Sequence, residues 1–105
     1  MEDKSGIRQF NGLDFSDWKF RMEMLFKEKM LWNWVVRERT QLEQTASNHE
    51  ESEAKAQNLI VRHLAPTHIE YVKNKRCAHL MWKNLNDVFE RQSITNKIII
   101  KKALM

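Results

Sequence analysis

The sequence predicts an all-α fold, with a single compact domain of about five helices over residues 1–105. Glycine occurs only twice and proline only once, whereas β-rich and α/β proteins need many such turn residues. Apolar residues recur at steps of three and four along several segments, which is the spacing of one helix face. The length suits one domain, and a composition of 42% hydrophobic and 30% charged residues is typical of a water-soluble globular protein.

The chain is predicted to begin with an extended arm over residues 1–13, because this segment holds both glycines and lacks sustained periodicity. A helical body is predicted from residue 14 to residue 105, and its first helix is expected over about residues 15–30. Asp14 or Ser16 is the expected N-cap, since either side chain can accept a hydrogen bond from the first free amides. The apolar face of this helix is predicted to consist of Trp18, Met22, Leu25 and Phe26.

The middle of the chain is predicted to hold a short element, a polar connection and a second long helix. Residues 31–36 are rich in aromatic and β-branched side chains, and they are interpreted as a short helix or an extended turn. Residues 37–47 are polar and predict a solvated connection. Asn48 followed by Glu51, with Ser47 and Glu50 one residue earlier, resembles a capping box that opens a helix over about residues 49–64. The apolar residues of that helix are Ala56, Leu59, Ile60, Val61 and Leu64.

Pro66 cannot continue the second long helix, because it has no amide hydrogen, but it suits the first turn of a short helix at about 67–73. After a basic break, the helix predicted at about 77–91 has the clearest apolar stripe in the chain. Its stripe residues are Ala78, Met81, Trp82, Leu85, Val88 and Phe89.

Ser93 is expected to cap a last helix, whose apolar face contains Ile94, Ile98 and Leu104. The sequence stops at Met105 inside this pattern, with no glycine or polar residue to end it. The natural protein is therefore expected to continue, or this helix to dock onto another surface.

Four short motifs occur in order along the chain. They are a Phe-x-Gly followed by an aromatic residue and an anchoring Trp at 10–22, a Leu-Trp-x-x-Val at 31–35, a Trp-x-x-Leu-x-x-x-Phe at 82–89 and a Ser-x-x-Asn-Lys at 93–97. In this order they resemble the Gag polypeptides of copia-type LTR retrotransposons. The resemblance extends over residues 7–104, which is nearly the whole chain.

The resemblance implies the N-terminal region of a capsid-forming polypeptide, from a retrotransposon or from a host gene derived from one. Its expected fold is a helical bundle like the N-terminal domain of capsid proteins. Copies of such a polypeptide associate into particles, so the implied partner of the chain is itself. RNA is an implied partner mainly through regions absent here, because the zinc knuckle of the family follows much later. The residues expected to carry the family signature or the core are Phe10, Gly12, Trp18, Met22, Leu25, Phe26, Trp32, Leu59, Ile60, Leu64, Trp82, Leu85, Phe89 and Ile98.

The tryptophans could be base-stacking platforms or core residues. Trp18 and Trp82 have aliphatic neighbours at helical spacing and few basic residues beside them, which favours the core. The sequence does not decide whether Trp34 lies in the core or at the surface. It is the candidate for a contact with a neighbouring subunit, together with Ile94 and Ile100 of the last helix.

The formal net charge is +4, and the excess of basic residues falls in the second half of the chain. A small nucleic-acid-binding domain is therefore one alternative function. Its candidate residues are Lys73, Lys75, Arg76, Lys97, Lys101 and Lys102. An adaptor that offers a groove to a partner helix is another alternative, suggested by the unfinished last helix and the aromatic residues 31–36.

No catalytic, cofactor or metal site is predicted. The sequence holds no nucleophile elbow, phosphate-binding loop or aspartic-protease loop, so neither an enzyme nor a small-molecule substrate is expected. Cys77 is the single cysteine, and the histidines lack the spacing of a zinc site. No apolar run is long enough to span a membrane. An intracellular location is expected, with the cytoplasm favoured and the nucleus open.

Overall fold

The computed structural model describes residues 5–90 of the chain. Within that range the chain forms helices joined by short connections, and it contains no β-strand. The elements are α1 (Phe15–Glu28), α2 (Trp32–Val36), α3 (Gln41–Gln44), α4 (His49–Arg62), a 3-10 helix (Pro66–Tyr71), α5 (Ala78–Leu85) and a π-helical turn (Asn86–Glu90). The prediction of an all-α fold is confirmed. None of these helices is long and apolar enough to cross a bilayer.

The last helix predicted from the sequence lies outside the described residues. This applies to Ile94, Ile98 and Ile100 on its apolar side, and to Lys97, Lys101 and Lys102. The expectations for these six residues therefore stay predictions.

α1 and α5 lie where their apolar stripes predict helices. α1 ends two residues before the predicted end, and Met30 just beyond it has a left-handed φ of 61°. α5 begins close to the predicted start, but its hydrogen-bonding pattern changes after Leu85, where the π-helical turn starts. The short helix after α4 is a 3-10 helix with Pro66 in its first turn.

Asp14 and Asn48 are the N-cap residues of α1 and α4, as predicted, whereas Ser16 lies inside α1. The capping hydrogen bonds predicted for them are wrong, because neither side chain accepts a hydrogen bond from its helix. A capping side chain needs an extended backbone at the cap, whereas Asp14 is left-handed with φ 54° and Asn48 has φ −98° and ψ 2°. The capping box forms instead at Thr40, whose ψ of 163° is extended. Its hydroxyl accepts from the Glu43 amide at 3.1 Å, and the Glu43 carboxylate accepts from the Thr40 amide at 2.9 Å.

The aromatic segment at residues 31–36 forms the short helix α2, although its β-branched and aromatic residues favour a strand. α2 packs against α5, and this contact outweighs the local preference. Val35 of α2 is fully buried, and its carbonyl accepts a hydrogen bond from His79 Nδ1 of α5 at 3.0 Å. The first amide of α5 is capped from α4, since Glu53 Oε1 accepts from the Ala78 amide at 2.5 Å.

A single core of aromatic and aliphatic side chains holds these elements together. Trp18 and Trp82 both lie in it, each with 5% of its surface exposed, and their ring centroids are 5.8 Å apart. The buried apolar residues are Ile7, Phe10, Phe15, Trp18, Met22, Leu25, Phe26, Leu31, Val35, Ala56, Ile60, Leu64, Val72, Ala78, Met81, Trp82, Leu85 and Phe89. Burial of this apolar surface is the main force that stabilises the fold.

The N-terminal arm is attached to the end of α4 by backbone hydrogen bonds. The Phe10 amide donates to the His63 carbonyl at 2.8 Å, and the Ala65 amide donates to the Phe10 carbonyl at 2.9 Å. The His63 carbonyl also accepts from Trp18 Nε1 at 3.0 Å. One carbonyl group at the end of α4 therefore joins the arm to α1.

The His63 side chain completes this junction. It is fully buried, its Nδ1 donates to the Leu59 carbonyl at 2.7 Å, and its Nε2 lies 2.8 Å from Ser5 Oγ. Because a carbonyl oxygen can only accept, Nδ1 carries a proton. The imidazole thus links the beginning of the arm to the last turn of α4.

Gly12→Ala is expected to lower the free energy of unfolding by about 2–3 kcal/mol. Gly12 has φ +97°, which L residues rarely adopt, and an added Cβ would lie 3.0 Å from His68 Nε2. Gly6→Ala is the matched control, because Gly6 has φ +73° but nothing within 4 Å of an added Cβ. Urea denaturation of both variants tests this. Equal losses at the two positions would show that the His68 contact contributes nothing.

Candidate interaction surfaces

The side of α1 that points away from the core carries two large apolar side chains, Phe20 and Met24. We call this pair the outer face of α1. Phe20 is 61% exposed and Met24 is 42% exposed. They are four residues apart, so they lie one turn apart on the same side of the helix. The residues that α1 buries on its opposite side are Phe15, Trp18, Met22, Leu25 and Phe26.

Charged side chains of both signs border the outer face. Arg21 Nε donates to Asp17 Oδ2 at 3.0 Å on one flank, and Lys27 Nζ donates to Glu23 Oε2 at 2.8 Å on the other. Both pairs span four residues of α1, so each connects successive turns. The outer face is therefore an apolar pair between two ion pairs, and the four charged groups sum to zero.

Other exposed apolar residues of the described part of the chain are distributed over separate elements. They are Leu13 before α1, Met30 after it, Val36 at the end of α2, Leu42 on α3 and Val61 on α4. Isolated exposed residues of this kind are normal in soluble proteins. Within residues 5–90, only α1 has two of them one turn apart.

Trp34 is half-buried, and Arg39 covers its ring. The guanidinium carbon lies 4.0 Å from the centroid of the Trp34 ring, which is a stacked cation–π contact. Arg39 itself is held by Glu43, since Arg39 Nη2 lies 3.1 Å from Glu43 Oε2. The predicted contact between Trp34 and a neighbouring subunit stays a prediction. For that contact, Arg39 would have to move off the Trp34 ring, or the neighbouring subunit would have to contact the part of the ring that Arg39 leaves uncovered.

Arg37 binds the same carboxylate with both guanidinium ends, at 3.0 Å and 2.8 Å. This bidentate hydrogen bond is the main reason why the pKa of Glu43 lies well below its ordinary value, and the hydrogen bond from the Thr40 amide is the second. Glu43 in turn raises the pKa of Arg37. Glu43 is therefore ionised across the physiological range and orders both arginines, of which Arg39 covers Trp34.

The family described as gag-polypeptide of LTR copia-type matches residues 22–105 of the chain. The chain belongs to the copia-type Gag polypeptide family. The match covers α1 from Met22 onward and all later elements, so the arm and the first half of α1 lie outside it. No solved structure matches this Gag chain.

The signature residues of the Gag chain lie at different depths. Most are buried: Phe10, Trp18, Met22, Leu25, Phe26, Ile60, Leu64, Trp82, Leu85 and Phe89. Trp32 and Leu59 are half-buried and pack against the core. Gly12 is partly exposed beside His68, and Ile98 lies outside the described residues. These residues hold the bundle together and leave the outer face of α1 at the surface.

The basic candidates of the described part of the Gag chain lie in the connection between the 3-10 helix and α5, and all are exposed. Lys73 pairs with Glu70 at 3.3 Å, and Arg76 pairs with Glu38 at 3.1 Å. Lys75 lies between them in the chain. Whether this group meets Lys97, Lys101 and Lys102 depends on residues that are not described, so a shared phosphate-binding surface stays a prediction.

The apolar residues predicted for α1 did not include the two residues of the outer face. Phe20 and Met24 could have been found as an apolar pair at a four-residue step, opposite the main stripe of the helix. His63, whose backbone and side chain join the arm to α1 and α4, was not predicted either. No sequence signal indicates that junction, because its partners are 45 and 58 residues away in the chain.

Proposed function

We propose that this Gag chain is a structural domain that associates with further copies of itself through the outer face of α1. This contact would contribute to the assembly of particles. Family membership supports the structural role, because Gag polypeptides are non-catalytic structural proteins. We choose the outer face as the contact surface because Phe20 and Met24 are both exposed and lie one turn apart on a single helix.

The charges around the outer face permit two copies to approach. The chain as a whole has a formal net charge of +4, which opposes self-association at low ionic strength. The two ion pairs beside Phe20 and Met24 contribute no net charge there. Two copies that meet at this face therefore avoid a concentration of like charge.

The contact is expected to be weak on its own. Complete burial of a Phe or Met side chain contributes about 1.5–3 kcal/mol, and part of each side chain is already covered here. Stable two-chain interfaces bury far more surface than two side chains provide. In a particle, however, many copies make the same contact, and their combined effect can support assembly.

Phe20→Glu is expected to abolish self-association without unfolding the domain. Light scattering coupled to size-exclusion chromatography should give a mass for the natural chain that rises with concentration. The variant should stay at the mass of one chain, because a carboxylate would lie where the apolar contact forms. Leu42→Glu is the matched control, since Leu42 is 83% exposed on α3, and it should behave as the natural chain does.

Thermal melts establish that both variants remain folded. The proposal of self-association is wrong if the natural chain keeps the mass of one chain over a wide range of concentration and salt. The choice of surface is wrong if Leu42→Glu disrupts association and Phe20→Glu does not.

A further inference from the structure

Met30 follows α1 in a backbone conformation that is unfavourable for its type of side chain. Two hydrogen bonds close the end of the helix: the Met30 amide donates to the Lys27 carbonyl at 3.1 Å, and the Leu31 amide donates to the Phe26 carbonyl at 2.8 Å. This pattern requires a left-handed residue directly after the helix, and Met30 has that conformation, with φ 61°. Glycine is the usual residue at such a position, because it has no Cβ.

The Met30 side chain gives little stability in return for this strain. Met30 is 82% exposed, so its apolar surface is hardly buried, whereas Leu31 beside it is 5% exposed and belongs to the core. Asp14 is the other non-glycine residue with a positive φ within residues 5–90, and aspartate adopts such angles more readily than methionine does. An exposed apolar residue alone is ordinary. The combination of exposure and backbone strain distinguishes Met30 from the other exposed apolar residues.

We propose that Met30 packs against a second copy of the chain and extends the contact made by the outer face of α1. The inference rests on the proposed function, because it assigns a further residue to the same contact. A strained residue that does not stabilise its own fold is typical of a position with another role. For Met30, that role is burial of its side chain between two copies.

The position and the chemistry of Met30 suit this contact. Met30 follows Met24 by six residues, which corresponds to about 9 Å along the helix axis. A stable two-chain contact covers about 800 Å² on each partner, so both residues fit within one contact. Phe20 and Met24 alone provide too little surface, and Met30 has a larger exposed fraction than either. A methionine side chain is also flexible enough to fill an irregular apolar surface.

Oxidation by hydrogen peroxide tests the proposal on the natural chain. Peroxide converts an accessible methionine thioether into a sulfoxide, so burial between copies should slow the reaction. With peroxide in excess, the initial rates at Met24 and Met30 should both fall as protein concentration rises, in proportion to the fraction of free chain. Mass spectrometry follows each residue separately. Met22 and Met81 are buried in the core and should react slowly at every concentration.

The pattern of protection separates this proposal from the one on which it rests. Protection of both Met24 and Met30 supports the extended contact. Protection of Met24 alone would overturn the role of Met30 and leave self-association at the outer face of α1 intact. Equal rates at all concentrations for both residues would contradict the two proposals together.

Met30→Gly should change stability and self-association in opposite directions. Glycine adopts the left-handed conformation without steric strain, so the equilibrium constant for unfolding, measured in urea, should fall about two- to fivefold. Loss of the apolar side chain should raise the dissociation constant between copies about tenfold. Met30→Leu is the matched control, because leucine keeps both the strain and an apolar side chain. It should resemble the natural chain in both measurements.

Light scattering over a concentration series measures the association of both variants. A Met30→Gly chain that associates as tightly as the natural chain would overturn the proposal, whatever its stability. Weaker association of Met30→Leu that equals the loss in Met30→Gly would also overturn it, because an apolar side chain at position 30 would then make no difference.

Discussion

Phe10→Ala is expected to lower the free energy of unfolding by about 3–5 kcal/mol. Phe10 belongs to the N-terminal arm, yet only 2% of its surface is exposed. Its ring contacts the rings of Phe15, Trp18, His68 and Phe89, with centroid distances of 5.3, 5.2, 5.5 and 4.7 Å. Removing the ring leaves a cavity among four other rings, and the cost of such a cavity adds to the lost burial.

Urea denaturation followed by tryptophan fluorescence measures this loss, and Phe20→Ala is the matched control. The two residues are of the same type, but Phe20 is 61% exposed, and surface substitutions usually change stability by less than about 0.5 kcal/mol. Hydrogen exchange at the Ala65 amide, which donates to Phe10, reports whether the arm detaches first. An unchanged unfolding midpoint for Phe10→Ala would show that the arm is not part of the core.

Trp82→Ala is expected to have an effect of similar size, about 3–5 kcal/mol. Trp82 is the residue of α5 that joins three other aromatic rings. Its ring centroid lies 5.8 Å from that of Trp18, 5.6 Å from that of Phe26 and 6.0 Å from that of Trp32. The total stability of a domain is typically only about 5–15 kcal/mol, so this variant should be partly unfolded on mild heating.

Trp32→Ala provides the comparison for Trp82→Ala. Trp32 touches the same cluster from α2 but is only half-buried, so its removal should cost clearly less. Thermal unfolding of the two variants, monitored by circular dichroism, measures the difference. A loss for Trp82→Ala no larger than that for Trp32→Ala would contradict the position of Trp82 at the centre of the core.

The helices with long apolar stripes could be predicted from the sequence because their signal is local. Trp18 and Trp82 each stand in a run of apolar residues at three- and four-residue steps, and both runs are helices. The fold class follows from the same periodicity together with the scarcity of glycine and proline. The resemblance to copia-type Gag agrees with the family match from residue 22 onward.

The caps and junctions could not be predicted, because they depend on backbone geometry and on distant contacts. Asn48 has a capping side chain and a glutamate three residues later, but its backbone is not extended, so no capping bond forms. The actual cap of α5 comes from Glu53, which is 25 residues earlier in the chain. The arm is likewise positioned by His63, and no local pattern indicates that pairing.

The surface features were difficult to predict for a related reason. The four-residue spacing of Phe20 and Met24 places them together opposite the main stripe of α1, but the sequence does not show whether another element covers that side of the helix. The sequence does not decide whether Trp34 lies in the core or at the surface. In the structure Arg39 covers its ring, and Arg39 in turn pairs with Glu43 of α3. The nucleic-acid and adaptor alternatives remain predictions, since the last helix on which both depend is not described.

Chemical crosslinking at Met24 tests most directly whether copies of the chain meet at the outer face. Met24→Cys and Leu42→Cys are made separately in a Cys77→Ser background, where serine suits the extended N-cap position of α5. A two-fold contact centred on Phe20 and Met24 brings the two copies of residue 24 together, so a short bismaleimide should link the Met24→Cys variant into covalent dimers faster than the Leu42→Cys variant. Leu42 is the more exposed of the two natural residues, at 83% against 42%, so random collisions would favour the Leu42→Cys variant. Dimers that form equally fast or faster in the Leu42→Cys variant would contradict self-association at the outer face of α1.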